Sequence, residues 1–250
     1  MEMKILFVIG ALIGASVGLP TDSNRIVNGI NAKNGSAPYM ASLRDINGNH
    51  FCGASILDER WILTAAHCLT DGHLDTVYVG SNHLSGDGEY YNVEEEIIHD
   101  KYFGQITGFK NDIALIKVSS AIKLSKNVRP IKLHKDFIRG GEKLKITGWG
   151  LTNQTHGEVP DALQELQVEA LSNSKCKAIT GVHLPAHLCT FKAPQKGVCM
   201  GDSGGPLVYK GKQVGVTSFV WEGCALGNPD FFTRVSLYVD WVKKMQKEYK

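Results

Sequence analysis

The residues best suited to covalent chemistry lie in one short glycine-rich segment, Gly201–Pro206, which reads GDSGGP. Two glycines follow Ser203, so little side-chain bulk would keep a substrate carbonyl from its hydroxyl group or from the adjacent backbone N–H groups. Such N–H groups can form an oxyanion hole, a pair of donors aimed at the negative charge that develops on the carbonyl oxygen. The segment therefore predicts a serine nucleophile.

A serine nucleophile needs a general base, and the order of residues along the chain limits the choice. The segment also fits the G-x-S-x-G pattern of α/β-hydrolases, in which the catalytic histidine follows the serine. All nine histidines of this chain precede Ser203, the last being His187, so an esterase or lipase of that fold is excluded. The base predicted upstream is His67, in the run TAAHC. Asp112 begins the apolar run DIAL, where burial would be costly without a partner, and orienting a histidine would supply one.

The elements that would position these residues are short strands. Runs rich in valine, isoleucine, threonine and aromatic residues recur along the chain, and clusters of turn-forming residues separate them. Examples of such runs are residues 61–64, 76–80, 113–118, 143–148, 163–171, 213–219 and 231–235. With no alternation of strand and helix, this pattern predicts an all-β fold of the sandwich or barrel type.

One helix is predicted, at the C-terminus. Its apolar residues recur at helical spacing, with lysines on the opposite face, and they are Tyr238, Trp241, Val242, Met245 and Tyr249. A basic membrane-binding helix is the alternative, but we expect a helix docked on the core with a solvated lysine face.

Composition excludes several function classes. Hydrophobic residues make up 43% of the 250 residues and charged residues 21%, which is ordinary for a globular protein. Lys and Arg total 27 and Asp and Glu total 25, so the net charge is only +2. We therefore expect neither nucleic acid nor an anionic membrane surface as a partner.

The first 18 residues read as a secretory signal peptide and predict an extracellular protein. Lys4 precedes the apolar run Ile5–Ile13, and small residues at 16–18 offer a cleavage site. The run is too short for a membrane anchor, which needs about 20 apolar residues. Two glycosylation sequons follow, at Asn34 and Asn153.

Six cysteines remain after the signal peptide, and an even number in a secreted chain predicts disulfides. They are Cys52, Cys68, Cys176, Cys189, Cys199 and Cys224. Six cysteines allow 15 pairings, and spacing alone leaves them open. The competing zinc site lacks its motifs, since neither C-x-x-C nor H-E-x-x-H occurs, and we expect no metal and no cofactor.

From Ile26 to nearly the end, the chain resembles the chymotrypsin/trypsin family of serine endopeptidases. The matching segments are IVNG at 26–29, TAAHC at 64–68, DIAL at 112–115, TGWG at 147–150 and GDSGGP at 201–206. The resemblance implies two six-stranded antiparallel Greek-key barrels, about residues 26–130 and 131–235, with the active site between them and a C-terminal helix over 236–250. It also implies the disulfides Cys52–Cys68, Cys176–Cys189 and Cys199–Cys224.

The resemblance assigns a role to each predicted site residue. Ser203 attacks the scissile carbonyl, His67 carries the proton, and Asp112 fixes the tautomer of His67. The backbone N–H groups of Gly201 and Ser203 hold the oxyanion. Ser218 corresponds to the residue that supports the triad aspartate.

Activation by proteolysis is implied as well. Cleavage after Arg25 by a trypsin-like protease would remove the propeptide, residues 19–25, and free the amine of Ile26 for pairing with Asp202. Breaking a buried pair of this kind costs about 3–5 kcal/mol.

Substrate preference follows from the pocket that the resemblance implies. Gly197 stands at its base, where trypsins have an aspartate, and Asp230 stands where glycine is usual. Phe219 and Val220 replace a usual tryptophan and glycine, while Val198 and Met200 add apolar surface. This combination resembles some arthropod digestive chymotrypsins and serine collagenases. We expect cleavage after apolar residues, with a basic side activity.

The expected function is thus a secreted digestive endopeptidase, monomeric, made as a zymogen. Its implied partners are protein or peptide substrates, the activating protease and protein protease inhibitors. The alternative is a catalytically silent family member that acts as a binding protein.

Overall fold

The structure is a computed structural model, and it describes residues 26–152 and 157–250. The predicted signal peptide, the propeptide and the sequon at Asn153 lie outside these residues. Asn34, at the other sequon, is exposed in a turn. In the two described ranges, no helix is long and apolar enough to cross a membrane.

The first half of the chain forms a closed antiparallel barrel of six strands. A short strand β1 (Ile30–Asn31) precedes them. The six are β2 (Met40–Arg44), β3 (His50–Ile56), β4 (Trp61–Thr64), β5 (Thr76–Val79), β6 (Glu89–Ile98) and β7 (Ala114–Val118). Their order around the barrel is β2-β3-β4-β7-β6-β5, and β5 closes it against β2.

The register of this barrel brings two distant parts of the chain to one edge. In the antiparallel pair β4 and β7, Thr64 lies opposite Ala114. The chain that follows Thr64 therefore meets the chain that precedes Ala114. His67 lies three residues after the first position and Asp112 two residues before the second.

The second half forms another six-stranded antiparallel barrel. A two-residue strand, β8 (Lys132–Leu133), precedes it and adds to β13 in parallel. The barrel strands are β9 (Lys143–Gly148), β10 (Gln164–Leu171), β11 (His187–Phe191), β12 (Pro206–Tyr209), β13 (Lys212–Val220) and β14 (Asp230–Arg234). They follow the order β10-β11-β14-β13-β12-β9, closed by β9 against β10, while β1 extends β10. The expected all-β fold of two six-stranded barrels is confirmed.

In the described part of the chain, two α-helices accompany the barrels. The predicted C-terminal helix is α2 (Val239–Glu248), and Val239 and Val242 on its apolar side belong to the core of the first barrel. It is docked on the core, as expected. The other helix, α1 (Asn173–Thr180), was not predicted. Its side chains give little amphipathic signal, since Cys176 is its only buried residue.

Three disulfides tie loops to the barrels. They join Cys52 to Cys68, Cys176 to Cys189, and Cys199 to Cys224. These are the pairs that the family resemblance implied. The first links β3 to the turn that carries His67, and the last links the segment before Ser203 to the loop after β13.

Candidate active site

His67 and Asp112 are hydrogen-bonded to each other at the shared edge of β4 and β7. His67 lies in a one-turn 3₁₀ helix, Ala66–Cys68, directly after β4. Its Nδ1 lies 2.8 Å from Asp112 Oδ2, and its backbone N–H donates to Asp112 Oδ1 at 2.9 Å. Because a carboxylate only accepts, Nδ1 carries the ring proton and leaves Nε2 free to accept one.

The second barrel supplies the remaining partners of Asp112, which is fully buried. The hydroxyl of Ser218 on β13 donates to Asp112 Oδ2 at 2.5 Å. The hydroxyl of Thr233 on β14 donates to the backbone carbonyl of Asp112 at 2.6 Å. A buried charge of this kind is stable only when it is hydrogen-bonded, and here donors from both barrels meet that need. Sequence reasoning found Ser218 but missed Thr233.

Ser203 lies in a loop of the second barrel, directly before β12, and this loop contacts the first barrel. The Gly53 N–H on β3 donates to the Ser203 carbonyl at 2.7 Å, and the Gly204 N–H donates to the Thr217 carbonyl at 2.8 Å. Contact with the first barrel is so close that a Cβ on Gly204 would overlap Thr64 Oγ1. Thr64 ends the strand that leads to His67, so the Ser203 loop packs against the barrel edge that carries His67 and Asp112.

The hydroxyl of Ser203 is not yet engaged with the histidine. Among the described residues, it makes no hydrogen bond to His67, whose Nε2 has only a long 3.9 Å contact with the disulfide sulfur of Cys68. Hydrogen bonds between catalytic groups are often loose before substrate binds. The arrangement can therefore support proton transfer once the two groups close up.

The backbone around Gly201 is held by a histidine that sequence reasoning missed. His50 Nε2 lies 3.0 Å from the Gly201 carbonyl oxygen, and Nδ1 lies 2.8 Å from Ser42 Oγ. Burial lowers the pKa of His50 to about 4, so the ring is neutral near pH 7. The carbonyl accepts from Nε2–H, and Nδ1 then accepts from the Ser42 hydroxyl. The only sequence signal was a histidine two residues before Cys52.

Asp202 points into the protein, away from solvent. Its Oδ1 accepts from the Gly150 N–H at 2.8 Å and its Oδ2 from the Cys199 N–H at 2.9 Å. Burial raises its pKa to about 6, and the two N–H groups oppose that rise. Ile26 is fully buried and packs in the same core cluster as Val198, the neighbour of Cys199.

Asp230 and Gly197 are in direct contact. A Cβ on Gly197 would lie 2.5 Å from Asp230 Oδ2, the oxygen that accepts from the Val198 N–H at 3.1 Å. Burial is the main cause that raises the pKa of Asp230 to about 8, and the Asp202 charge adds to it. The carboxyl group is therefore mostly protonated at neutral pH.

The other predicted pocket residues differ in how deeply they are buried. Phe219 stacks on Phe231 at 4.5 Å between ring centroids and on Phe109 at 4.9 Å. Val220 is half-buried opposite Asp230 on the neighbouring strand. The side chain of Val198 belongs to the core of the second barrel, while Met200 is 68% exposed at the surface.

A family model described as trypsin matches residues 26–242 of this chain. The chain belongs to the trypsin family. It is 40% identical to Chymotrypsin-2 of Vespa crabro over 224 residues, which cover 88% of this chain and 100% of the relative. It is 34% identical to Brachyurin of Leptuca pugilator over 222 residues, 87% of this chain and 97% of that protein. It is 36% identical to Trypsin II-P29 of Gallus gallus over 253 residues, 99% of this chain and 100% of the relative.

Membership of the trypsin family makes this chain a serine-type endopeptidase. The expected resemblance, including that to arthropod proteases, is confirmed. Protein chains are accordingly its class of substrate.

Proposed function

We propose that this chain is the zymogen of a secreted digestive endopeptidase that uses Ser203, His67 and Asp112 as its catalytic triad. The observation that carries the proposal is the hydrogen-bonded chain from Ser218 through Asp112 to His67, which ends beside the Ser203 loop. Because Nδ1 of His67 is committed to the Asp112 carboxylate, Nε2 is the ring nitrogen left to accept a proton.

The reaction follows from these positions. His67 Nε2 takes the proton of Ser203 as Oγ attacks the scissile carbonyl carbon. The resulting oxyanion accepts hydrogen bonds from the N–H groups of Gly201 and Ser203. His67 then delivers the proton to the leaving amine as the C–N bond breaks, and an acyl-enzyme remains. Water reverses these steps and releases the acid, while Asp112 stabilises the imidazolium that forms in each half.

Activation would couple the new N-terminus to the oxyanion hole. Val27 pairs with Gly197, and Ile26 belongs to the same core cluster as Val198, so cleavage after Arg25 would free an amine near the segment that holds Asp202. An ammonium group there would lower the raised pKa of Asp202 and fix its carboxylate.

Substrate preference is proposed from the protonated state of Asp230. A neutral carboxyl group beneath Gly197, with the branched Val220 nearby, gives a pocket suited to apolar residues before the scissile bond. The basic side activity would require ionisation of Asp230.

The test is hydrolysis of four peptides that differ only in the residue before the scissile bond: Phe, Leu, Ala and Arg. We expect the chain cleaved after Arg25 to prefer an apolar residue, and Ser203→Ala to lose at least about 10⁴-fold in kcat. Ser119→Ala, which changes an exposed serine, is the matched control. If the sample with a verified Ile26 terminus hydrolyses none of the peptides, the triad proposal fails in favour of a silent binding protein. Cleavage after Arg alone would refute the proposed preference.

A further inference from the structure

The outer face of the second barrel carries a cluster of lysines, although the net charge of the whole chain is small. Three clefts lie side by side across β9, β10 and the adjoining loops, and all three include Gln167 in their linings. The lysines that line them, here called the lysine face, are Lys143, Lys145, Lys175, Lys192, Lys196 and Lys210.

Few negative charges offset the lysine face. The carboxylates lining the same clefts are Glu165 and Glu169, so six lysines meet two glutamates. Lys145 lies 3.6 Å from Glu165, which also accepts from the Ser36 hydroxyl at 3.1 Å. Within the described residues, the other five lysines make no ion pair. This one face thus holds an excess of four positive charges, in a protein whose total is +2.

The strand geometry aligns part of this charge in a row. Lys143 and Lys145 are two residues apart on β9, so their side chains leave the same face of the sheet about 7 Å apart. Lys210 lies in the turn between β12 and β13 and lines the same cleft as both of them. Gln167, opposite Lys145 on β10, joins this cleft to the other two. The charge therefore continues across the sheet from cleft to cleft.

The cleft lined by Lys143, Lys145 and Lys210 also has a buried hydroxyl group in its wall. It has a volume of about 240 Å³, and Tyr39 forms part of its wall. The Tyr39 hydroxyl is buried beside Thr147, which donates to Met40 Sδ, and no acceptor for the Tyr39 proton is found among the described residues. Burial raises the pKa of Tyr39 to about 12, so the hydroxyl keeps its proton. An anionic oxygen in the cleft would satisfy this donor.

We propose that the lysine face binds a linear sulfated polysaccharide, with one sulfate group in the cleft formed by Lys143, Lys145 and Lys210. The extended row of clefts suits a chain with repeated charges better than a single small anion. Nucleic-acid binders combine basic residues with exposed aromatic side chains on which bases stack. Here Tyr39 is buried and Phe191 only half-exposed, so stacking platforms are lacking in the clefts. The choice of polysaccharide rests on the proposed secretion.

The experiment measures binding of dextran sulfate to the Ser203→Ala chain, with uncharged dextran as the matched ligand. The test variant carries Lys143→Gln, Lys192→Gln and Lys210→Gln. The control variant carries Lys243→Gln, Lys247→Gln and Lys250→Gln on and after α2, and removes the same total charge. We expect the test variant to bind about 100-fold more weakly at low salt, and the control to keep nearly the parental affinity. The dependence on salt should also become shallower in the test variant alone.

Several results would overturn the proposal. One is equal loss of affinity in both variants, which would mean that binding follows total charge. Others are binding of uncharged dextran as tightly as dextran sulfate, or tighter binding of single-stranded DNA or phosphatidylserine vesicles of matched charge. Peptide hydrolysis by the same lysine variants with Ser203 intact should be unchanged, which checks their folding. Because binding is read without catalysis, its failure and that of the proposed protease function are distinguishable.

Discussion

Ionisation of Asp230 should change which substrates the enzyme accepts. The carboxyl group lies against Gly197, and burial raises its pKa to about 8. Below that pH it is neutral and compatible with an apolar side chain before the scissile bond. Above it, the carboxylate can pair with arginine. The informative perturbation is Asp230→Asn, which keeps an oxygen for the Val198 N–H but cannot ionise.

The magnitude follows from the pKa. With a value of about 8, the ionised fraction rises from about 1% at pH 6 to about 90% at pH 9. If only the ionised enzyme accepts arginine and both forms accept phenylalanine, kcat/KM for an Arg peptide relative to a Phe peptide should rise about 90-fold over this range. Any pH effect that is common to both substrates cancels in the ratio. In Asp230→Asn the ratio should stay low and flat.

Stability supplies an independent readout of the same group. Because the folded pKa lies above the ordinary value of 3.8, the folded protein retains a proton that the unfolded chain releases. The contribution of Asp230 to the free energy of unfolding is therefore present below pH 4 and is lost as the pH rises through 8. Asp230→Asn should lack this loss in denaturant titrations. A flat Arg-to-Phe ratio in the parent, or an unchanged rise in the variant, would refute the reasoning.

Three further changes test how the site is held together. His50→Ala removes the partner of the Gly201 carbonyl and should lower kcat about tenfold in steady-state kinetics, with less effect on KM. An unchanged kcat would show that His50 does not help to hold the proposed oxyanion hole. Ser218→Ala removes a donor to the triad carboxylate and should lower kcat/KM about 10-fold to 100-fold, an outcome that wild-type kinetics would contradict. Replacing Cys199 and Cys224 with serine should reduce the free energy of unfolding by about 3 kcal/mol in denaturant titrations, and a difference below about 1 kcal/mol would argue against that disulfide as a major constraint.

Seven barrel strands were readable from sequence because they repeat one physical pattern, whereas β2, β3, β6, β11 and β12 match none of the named runs. The expected run 61–64 agrees with β4 at both ends, and 143–148 agrees with β9. Elsewhere the ends differ by about one residue, as at Val220, which extends β13 beyond the run 213–219. Strand ends depend on the partner strand as well as on local propensity.

The missed helix α1 shows the limit of periodicity. Its N-cap, Ser172, accepts from the Lys175 N–H, and Gly181 ends it in a left-handed conformation with φ 74°. Both are ordinary helix signals, but they bracket only eight residues with almost no apolar face. A short helix fixed by caps and a disulfide at Cys176 leaves little trace in hydrophobic spacing.

The site residues also divide into those that local sequence motifs identify and those that they do not. Ser203, His67 and Asp112 belong to distinctive local motifs, so sequence could name them together. Thr233 and His50 act through single hydrogen bonds to backbone carbonyls that are remote in sequence. Such bonds depend on the packing of the two barrels, which no local pattern records.

The contacts that hold the site are mainly contacts between the barrels. Ser218 and Thr233 of the second barrel bind Asp112 of the first, and the Gly53 N–H of the first barrel binds the carbonyl of Ser203. Neither barrel alone could position both the proposed nucleophile, Ser203, and its proposed base, His67. A shift between them by 1 Å would lengthen all three hydrogen bonds at once, and hydrogen bonds weaken steeply beyond their normal distances. The geometry of the proposed catalytic residues therefore depends on how the two barrels pack. This explains why residues that are far apart in sequence must all be in place for the site to form.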